Sequence, residues 1–343
     1  MSADSARVEA AIEARREEVN DAIAETLPIK RPERLYEASR YLLDAGGKRL
    51  RPAMLLLAAE AVTETEPRAE DYRAFGPDEL DVMAAAVSVE VIQSFTLIHD
   101  DIMDDDDLRR GVPSVHQEYD TETAILAGDT LYSKAFECML ETGAPADRSV
   151  RALDTLATTC TKICEGQALD VDFEGRDDVT TEEYLEMIEH KTAVLYAAAA
   201  AIPAILLGAD EAVVDALRGY GLDVGRAFQI QDDLLDLTVP SETLGKTRGS
   251  DLVEGKRTIV TLHARERGVD VDALVDAGHP DDVTEADIEA AVERLESVGS
   301  IEYARGTARD LVDRGKERLD VLPESEARTT LAGIADYLVD RTY

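Results

Sequence analysis

The chain contains two Asp-Asp-x-x-Asp clusters, each set in an apolar stretch with helical spacing. The first is DDIMD at residues 100–104, which follows VSVEVIQSFTLIH, and the second is DDLLD at residues 232–236, which follows GRAFQIQ. Positions i and i+4 share one face of an α-helix, so each motif points its carboxylates in one direction. The sequence therefore predicts two helices that each carry a carboxylate cluster.

Carboxylates at this spacing repel one another unless a cation neutralises them. Magnesium is usually held by one or two carboxylates together with substrate phosphates, so two facing clusters would bind a diphosphate through several ions. The chain has 73 Asp and Glu residues in 343, and a solvated helix face is therefore the alternative for either cluster. Apolar neighbours and nearby basic residues favour the metal site.

The composition favours a helical protein that does not bind nucleic acid. Hydrophobic residues make up 45% of the chain, aromatic residues only 5%, and Trp is absent. A net charge of −37 would repel nucleic acid and anionic membrane surfaces. The basic residues are 8 Lys and 28 Arg. An acidic, Lys-poor surface is expected of a halophilic protein, because high salt screens its self-repulsion.

The cysteines and the termini predict a cytoplasmic protein without an integral membrane segment. The three cysteines, Cys138, Cys160 and Cys164, form no CxxC motif and are predicted to be buried thiols, with zinc or a disulfide as alternatives. The charged N-terminus lacks the apolar segment of a signal peptide. The apolar run 193–209 is short for a membrane span and contains Pro203, which favours a buried helix.

Helical periodicity runs through the whole chain, and no stretch reads convincingly as a strand. We predict one all-α domain over residues 1–343, with its motifs concentrated between about 40 and 260. The irregular segment 239–256 separates the second Asp cluster from the next helix. Thr284 and Asp287 have the spacing of a helix start, and Gly299 that of a stop. The predicted helices are 5–26, 33–45, one from about Pro52, one bearing the first Asp cluster, 121–141, 147–170, 181–207, 211–238, 256–267, 284–297, 301–321 and 325–341.

Short basic motifs accompany the Asp clusters. In GGKRLRP at 46–52, the glycines let the backbone approach a ligand, while Lys48 and Arg51 supply positive charge. Arg109 and Arg110 follow the first cluster and could equally form ion pairs with its carboxylates. Half of the eight lysines fall in such motifs: Lys48, Lys191, Lys246 and Lys256.

Taken in order, these motifs resemble those of the trans-prenyl diphosphate synthases. The resemblance covers roughly residues 40–260 and includes GGKRLRP, QSFTLIHDDIMDDDDLRRGVPSVH, GD at 128–129, KTA at 191–193, FQIQDDLLD and GKTRGSDLVEGKRT. It implies the isoprenoid synthase fold, in which about a dozen helices surround a central cavity, and a homodimer. It also implies condensation of isopentenyl diphosphate with C5, C10 or C15 allylic diphosphates, assisted by two or three Mg²⁺ ions per active site.

The same resemblance assigns roles by position. It implies that the metal-binding carboxylates are Asp100 and Asp104, with Asp101 beside them, and Asp232, Asp233 and Asp236. It places on the allylic diphosphate Arg109, Lys191, Lys246 and Lys256. It places on isopentenyl diphosphate Lys48, Arg51, Gln93 and Arg110. It sets Thr192 and Gln229 near the reacting carbons.

Product length is expected to depend on the residues that precede Asp100 on its helix. Phe95 lies five residues upstream, about 7.5 Å along the axis, and the smaller Thr96 lies four upstream. One aromatic at the fifth position resembles archaeal-type geranylgeranyl diphosphate synthases, which make C20, with C15 and C25 products as alternatives. A helical wheel aligns Gln93 with Asp100 better than it aligns Phe95, so core packing is the alternative role for Phe95.

Three other classes of protein remain as alternatives. A terpene cyclase or head-to-head synthase would not be expected to carry two full Asp clusters together with this basic set. A non-catalytic subunit of a synthase should have lost one cluster or the basic residues, and this chain keeps both. A calcium-binding protein of the EF-hand type is disfavoured because residues 104–107 lack the loop spacing.

Overall fold

The computed structural model describes residues 3–240, 248–275 and 283–340, and these are predominantly α-helical, as the sequence predicts. The helices are α1 Ala3–Thr26, α2 Glu33–Asp44, α3 Leu50–Thr63, α4 Val82–Met103, α5 Val115–Glu118, α6 Thr121–Leu140, α7 Ala146–Glu174, α8 Thr181–Ile188, α9 Val194–Leu207, α10 Glu211–Thr238, α11 Ser250–Val253, α12 Ile259–Glu266, α13 Glu285–Ser297, α14 Ser300–Arg318 and α15 Glu326–Asp340.

Side-chain caps set where several of these helices begin. Thr284 accepts a hydrogen bond from the Asp287 backbone and Asp287 returns one, which confirms the helix start predicted from their spacing. Thr180 and Thr258 form similar capping boxes at the starts of α8 and α12. Because the cap is at Thr258, α12 begins later than predicted, and Lys256 lies in the irregular segment before it.

The residue contacts group into two compact units. The first contains Met1–Cys160, Ala197–Arg218 and Leu319–Gly333. In it, α4 packs against α1, α3 and α6, and α6 also packs against α2. The buried face of α4 includes Val87, Val91 and Ile98, so its apolar residues form a central part of this unit's core.

The second unit contains Thr161–Tyr196, Gly219–Arg318 and Ile334–Tyr343. In it, α12 packs against α8, α13 and α14, and α13 also packs against α14. The buried residues of α12 include Ile259, Val260 and Leu262. Each unit is assembled from three separate chain segments, so neither corresponds to one continuous stretch of sequence. The single domain over residues 1–343 stays a prediction.

Three local features depart from the sequence-based expectations. A two-stranded antiparallel pair joins β1 Leu108–Arg109 to β2 Val112–Pro113, where no strand was predicted. Both turn residues have positive φ, 54° at Arg110 and 78° at Gly111, which suits a two-residue hairpin turn but is unusual for arginine.

Residues Glu189–Ala193 form a π-helical turn inside the predicted helix 181–207. Cys164 is exposed, so the prediction of buried thiols is wrong for it, whereas Cys138 and Cys160 are buried.

Two helical stretches among the described residues, Val82–Met103 and Thr181–Leu207, are long and apolar enough to cross a bilayer. However, 72% and 78% of their most apolar windows are buried within the structure. Such burial is typical of core helices, and Pro203 lies inside the second stretch as predicted.

Candidate active site

The first Asp cluster lies at the C-terminal end of α4. Asp104 caps the helix through its backbone N–H, which donates to the Asp100 carbonyl at 2.9 Å. Asp101 is fully buried, Asp100 is half-buried and Asp104 is exposed. The C-terminus of a helix carries partial negative charge, so carboxylates are unfavourable there. The sequence therefore concentrates negative charge where only a cation can relieve it.

Arg109, on the β1 strand, neutralises part of this cluster. Its Nε donates to Asp101 Oδ1 at 2.6 Å, and its Nη2 donates to Asp106 Oδ2 at 2.7 Å. Burial raises the pKa of the Asp101 carboxyl, although the Arg109 guanidinium acts in the opposite direction. Asp101 Oδ2 is buried and has no hydrogen-bond partner. An oxygen left in this way fits a hard cation such as Mg²⁺.

The basic segment 46–51, which ends with the first two residues of α3, is organised by a glutamate inside α4. Glu90 is 3% exposed, and its Oε1 lies 2.5 Å from Arg49 Nη1 and 3.5 Å from Arg110 Nη2. Arg110 Nη1 also donates to the carbonyls of Leu42, at 2.8 Å, and Gly46. Arg110, predicted to contact isopentenyl diphosphate, therefore shapes the loop that presents Lys48. Lys48 itself is exposed, and Arg51 and Gln93 are half-buried.

The second Asp cluster lies on α10, and its three carboxylates have different surroundings. Asp232 is half-buried, whereas Asp233 and Asp236 are 5% and 1% exposed. Asp233 Oδ2 accepts a hydrogen bond from the Tyr184 hydroxyl at 2.5 Å, and its Oδ1 accepts one from Gln229 Nε2 at 3.2 Å. Burial, and next the charge of Asp251, raise the pKa of Asp233 well above its usual range. A bound cation would offset this repulsion.

Asp236 holds the first two residues of α11. Its Oδ1 accepts from the Ser250 hydroxyl at 2.9 Å, and its Oδ2 accepts from the backbone N–H of Asp251 at 3.2 Å. Lys256 lies close by, since its backbone N–H donates to the Asp251 carbonyl at 2.8 Å and its Nζ is 3.6 Å from Asp251 Oδ1. The predicted contact residue Lys246 lies outside the described residues.

Lys191 and Thr192 lie in the π-helical turn, a form of helix that occurs frequently at functional sites. Lys191 Nζ donates to Asp170 Oδ2 on α7 at 2.6 Å, and the Thr192 hydroxyl donates to Gln229 Oε1 at 2.9 Å. Gly166 makes this packing possible, because a Cβ there would overlap the backbone nitrogen of Lys191. Thr192, Gln229 and Asp233 thus form one hydrogen-bonded chain.

The residues predicted to control chain length lie where α4 meets α6. The Phe95 ring centroid is 5.0 Å from that of His99 and 5.3 Å from that of Tyr132, both in edge-on arrangements. Thr96 is half-buried and its hydroxyl donates to the Gln93 carbonyl at 2.8 Å. His99 fits there because Gly128 has no side chain: a Cβ at that position would overlap the imidazole.

Four residues that position the predicted site residues were not found from the sequence: Glu90, Gly166, Asp170 and Tyr184. Glu90 carried a usable signal, since an ionisable residue interrupts the apolar run VSVEVI. Tyr184 carried none, because its partner Asp233 is 49 residues away in the chain. Among the described residues, no group of three or more His, Cys, Asp or Glu side chains lies at metal-binding spacing. The hard oxygen donors of both clusters nevertheless suit Mg²⁺ when phosphate oxygens supply further ligands.

Comparison with known proteins places these motifs in one family. Residues 32–295 match the polyprenyl synthetase family. The chain is 73% identical over 339 residues to a geranylfarnesyl diphosphate synthase from Natronomonas pharaonis, covering 98% of both chains. Its structure is similar to that of a geranylgeranyl pyrophosphate synthetase from Geoglobus acetivorans, with a TM-score of 0.86 and 44% identity over 96% of this chain and 99% of that one. A polyprenyl synthase from Caulobacter crescentus, complexed with calcium and isoprenyl diphosphate, gives a TM-score of 0.83 at 34% identity, covering 99% of this chain and 98% of that one.

Proposed function

The chain belongs to the polyprenyl synthetase family, and we propose that it condenses isopentenyl diphosphate with allylic diphosphates up to the C25 product, geranylfarnesyl diphosphate. It is a prenyl diphosphate synthase, a transferase of isoprenoid biosynthesis. The residues Phe95 and Thr96 favour C20, but the 73% identity to the Natronomonas enzyme favours the C25 alternative. Because each condensation adds five carbons, the C20 diphosphate is then the last intermediate before the final product.

The observation that carries this proposal is the hydrogen-bonded chain from Thr192 through Gln229 to Asp233, beside Lys191. It sets a cationic group, a hydroxyl and an amide oxygen within one hydrogen-bonded group of residues. Oxygen dipoles of this kind stabilise an allylic cation, and fixed positive charge stabilises a departing diphosphate. Bound Mg²⁺, two or three ions per site, would neutralise the developing charge on that diphosphate.

The protein residues then have separate tasks in each condensation. Heterolysis of the allylic C–O bond leaves the electron pair on the diphosphate, and Lys191, Arg109 and Lys256 would hold that product by charge. The double bond of isopentenyl diphosphate supplies the electrons of the new C–C bond. Lys48 and Arg51 would fix its diphosphate during this step. Loss of one proton, to the released diphosphate, restores a double bond and completes the addition.

The carboxylates are proposed to divide into ligands and supports. Asp100 and Asp104, with Asp101 between them, would bind metal from the first cluster, and the half-buried Asp232 would do so from the second. Asp233 and Asp236 already accept hydrogen bonds on both oxygens, which supports an additional role in orienting their neighbours. Asp233 and Asp236 would combine metal binding with this orienting role, and Asp232 would bind metal beside them.

The cellular setting is proposed from composition and resemblance. We expect a halophilic protein, because a net charge of −37 with only 8 Lys suits high salt. The resemblance to the family implies a homodimer, and we expect it to be cytoplasmic. An activity optimum in molar KCl and a dimer by light scattering would support this part of the proposal.

Product analysis tests the proposed function. Purified protein in molar KCl with Mg²⁺ receives isopentenyl diphosphate and, separately, C5, C10 and C15 allylic diphosphates, and the products are dephosphorylated and sized. We expect a C25 alcohol from all three primers, with C20 appearing first. A final product of C20 would restore the prediction from Phe95 and Thr96. If a folded protein consumes no substrate, the remaining interpretation is a non-catalytic subunit.

A further inference from the structure

Residues 248–251 consist of a turn at Arg248 and Gly249 and the first two residues of α11, and they are attached to the end of α10; we call these four residues the turn. The backbone N–H of Gly249 donates to the Asp236 carbonyl at 2.8 Å. Ser250 and Asp251 bind the Asp236 carboxylate as described above. Three consecutive residues of the turn are thus fixed to one aspartate of the cluster.

The opposite side of the turn is held by α13. Arg248 Nη1 donates to Glu285 Oε1 and to Glu289 Oε2, both at 2.8 Å, and its Nε donates to the Leu237 carbonyl at 2.7 Å. The Arg248 side chain is only 10% exposed. One buried guanidinium therefore connects the end of α10, the turn and two glutamates one helical turn apart on α13.

Close backbone packing strengthens this connection. Gly249 has a positive φ of 72°, and a Cβ at that position would lie 2.8 Å from Ile288 Cδ1. Since Ile288 lies between Glu285 and Glu289 in sequence, the same face of α13 both packs on the turn and binds Arg248. The turn is consequently seated on α13 by shape as well as by charge.

The turn carries groups that matter to the second Asp cluster. Asp251 is near enough to Asp233 for its charge to raise the Asp233 pKa, and its carbonyl accepts the backbone N–H of Lys256 at 2.8 Å. A displacement of the turn would therefore move Asp251 and Lys256 together. The proposed function assigns Lys256 to the allylic diphosphate, so a displaced turn would weaken that subsite.

We propose that Arg248, Glu285 and Glu289 are positioning residues that fix the turn for binding of the allylic diphosphate and its metal. We call this group the Arg248 bridge. The inference rests on the proposed function and assigns a positioning role to α13, a helix beyond the motif-bearing part of the chain. None of the three residues needs to touch substrate, because they act through Asp251 and Lys256.

The test compares two double variants of the same helix with equal changes of charge. Glu285→Gln with Glu289→Gln weakens the Arg248 bridge, while Glu293→Gln with Glu296→Gln alters two exposed glutamates of α13 and serves as the control. For the bridge variant we expect about a tenfold rise in KM for the allylic diphosphate and in the Mg²⁺ concentration for half-activation. KM for isopentenyl diphosphate should not change, because Lys48 and Arg51 keep their environment.

A purely structural role would give a different pattern. It would lower Tm in the bridge variant without separating the two KM values, and that result would overturn the proposal, as would identical kinetics in bridge and control variants. Arg248→Lys, which retains charge but cannot make the three directed contacts, should show an intermediate rise; it also serves as the test if the double variant fails to fold. Inactive wild-type protein would overturn the proposed function itself, which is a distinguishable outcome.

Discussion

The hydroxyl of Tyr184 donates a 2.5 Å hydrogen bond to Asp233 Oδ2, and both residues are buried. The other oxygen of Asp233 accepts from Gln229, whose own carbonyl oxygen accepts from Thr192. Asp233 is therefore the junction through which α8 and α10 hold the groups expected beside the allylic cation. Because this geometry depends on the phenol, Tyr184 affects the site through Asp233.

Tyr184→Phe should lower kcat roughly tenfold to a hundredfold, since Gln229 and Thr192 lose a fixed orientation. Stability should fall by about 1–3 kcal/mol, because a buried carboxyl loses a hydrogen-bond donor. Steady-state kinetics and chemical denaturation measure the two effects. Tyr220→Phe is the control: Tyr220 is also fully buried, so its variant should change stability but leave kcat unaltered.

Glu90→Gln should weaken binding of isopentenyl diphosphate and destabilise the protein. Loss of the charge leaves buried Arg49 without its counter-ion, which costs about 3–5 kcal/mol, and frees Arg110 from one of its supports. KM for isopentenyl diphosphate should rise more than KM for the allylic substrate. Glu60→Gln breaks a comparable buried pair, with Arg15 at 2.7 Å, and should destabilise without this selective change in KM. If KM for isopentenyl diphosphate rises no more in Glu90→Gln than in Glu60→Gln, the role given to Glu90 is wrong.

Contacts between residues close in sequence could be predicted, whereas contacts between distant helices could not. The motif-bearing helices and the capping box at Thr284 followed from local spacing, because each depends on residues within one or two turns. Tyr184 and Asp233 depend on two helices meeting, which no local pattern encodes. The hairpin at Arg110 was missed for a related reason: a left-handed arginine is unfavourable by itself, and its three carbonyl and carboxylate acceptors hold it in place.

Gly166→Ala should disrupt the π-helical turn. A methyl group at this position would overlap the backbone of Lys191, so α7 must move away from the turn, at a cost of about 1–3 kcal/mol. We expect kcat to fall together with Tm. Gly306→Ala provides the matched control, since a Cβ there meets nothing within 4 Å. In that helix interior the same change should stabilise by up to about 1 kcal/mol, and activity should be unchanged.

The stability of the second unit should depend on pH through His263. Burial, and next the charge of Arg267, lower the pKa of His263 from 6.5, and its Nδ1 lies 2.9 Å from the Ser300 hydroxyl. A lowered pKa favours neutral histidine in the folded state, so its contribution is complete above the unfolded pKa and is lost as pH falls through the folded pKa. Unfolding free energies from about pH 7.5 down to about pH 5.5 should decrease in wild type.

His263→Gln should remove this part of the pH dependence while lowering stability at neutral pH. The imidazole of His263 stacks on Tyr303 with ring centroids 4.2 Å apart, and glutamine cannot replace that contact. His116→Gln, the same substitution at a histidine of the first unit, is the matched control. If the unfolding free energy of His263→Gln falls with pH as steeply as that of wild type, other groups cause the pH dependence.

The length of the product should depend on the contact of Phe95 with α6. The Phe95 ring contacts the rings of His99 and Tyr132, about 1.4 helical turns before Asp100, and a growing chain that passes along α4 would meet it. Phe95→Ala removes this obstruction and should shift the products toward longer chains. Thr96→Phe adds bulk one residue nearer the carboxylates and should shift them toward C15. Phe136→Ala removes another aromatic neighbour of Tyr132, whose ring centroid lies 5.1 Å from that of Phe136, and should leave the products unchanged. If Phe95→Ala and wild type give the same alcohols on chromatography, Phe95 serves only the packing of α4 against α6.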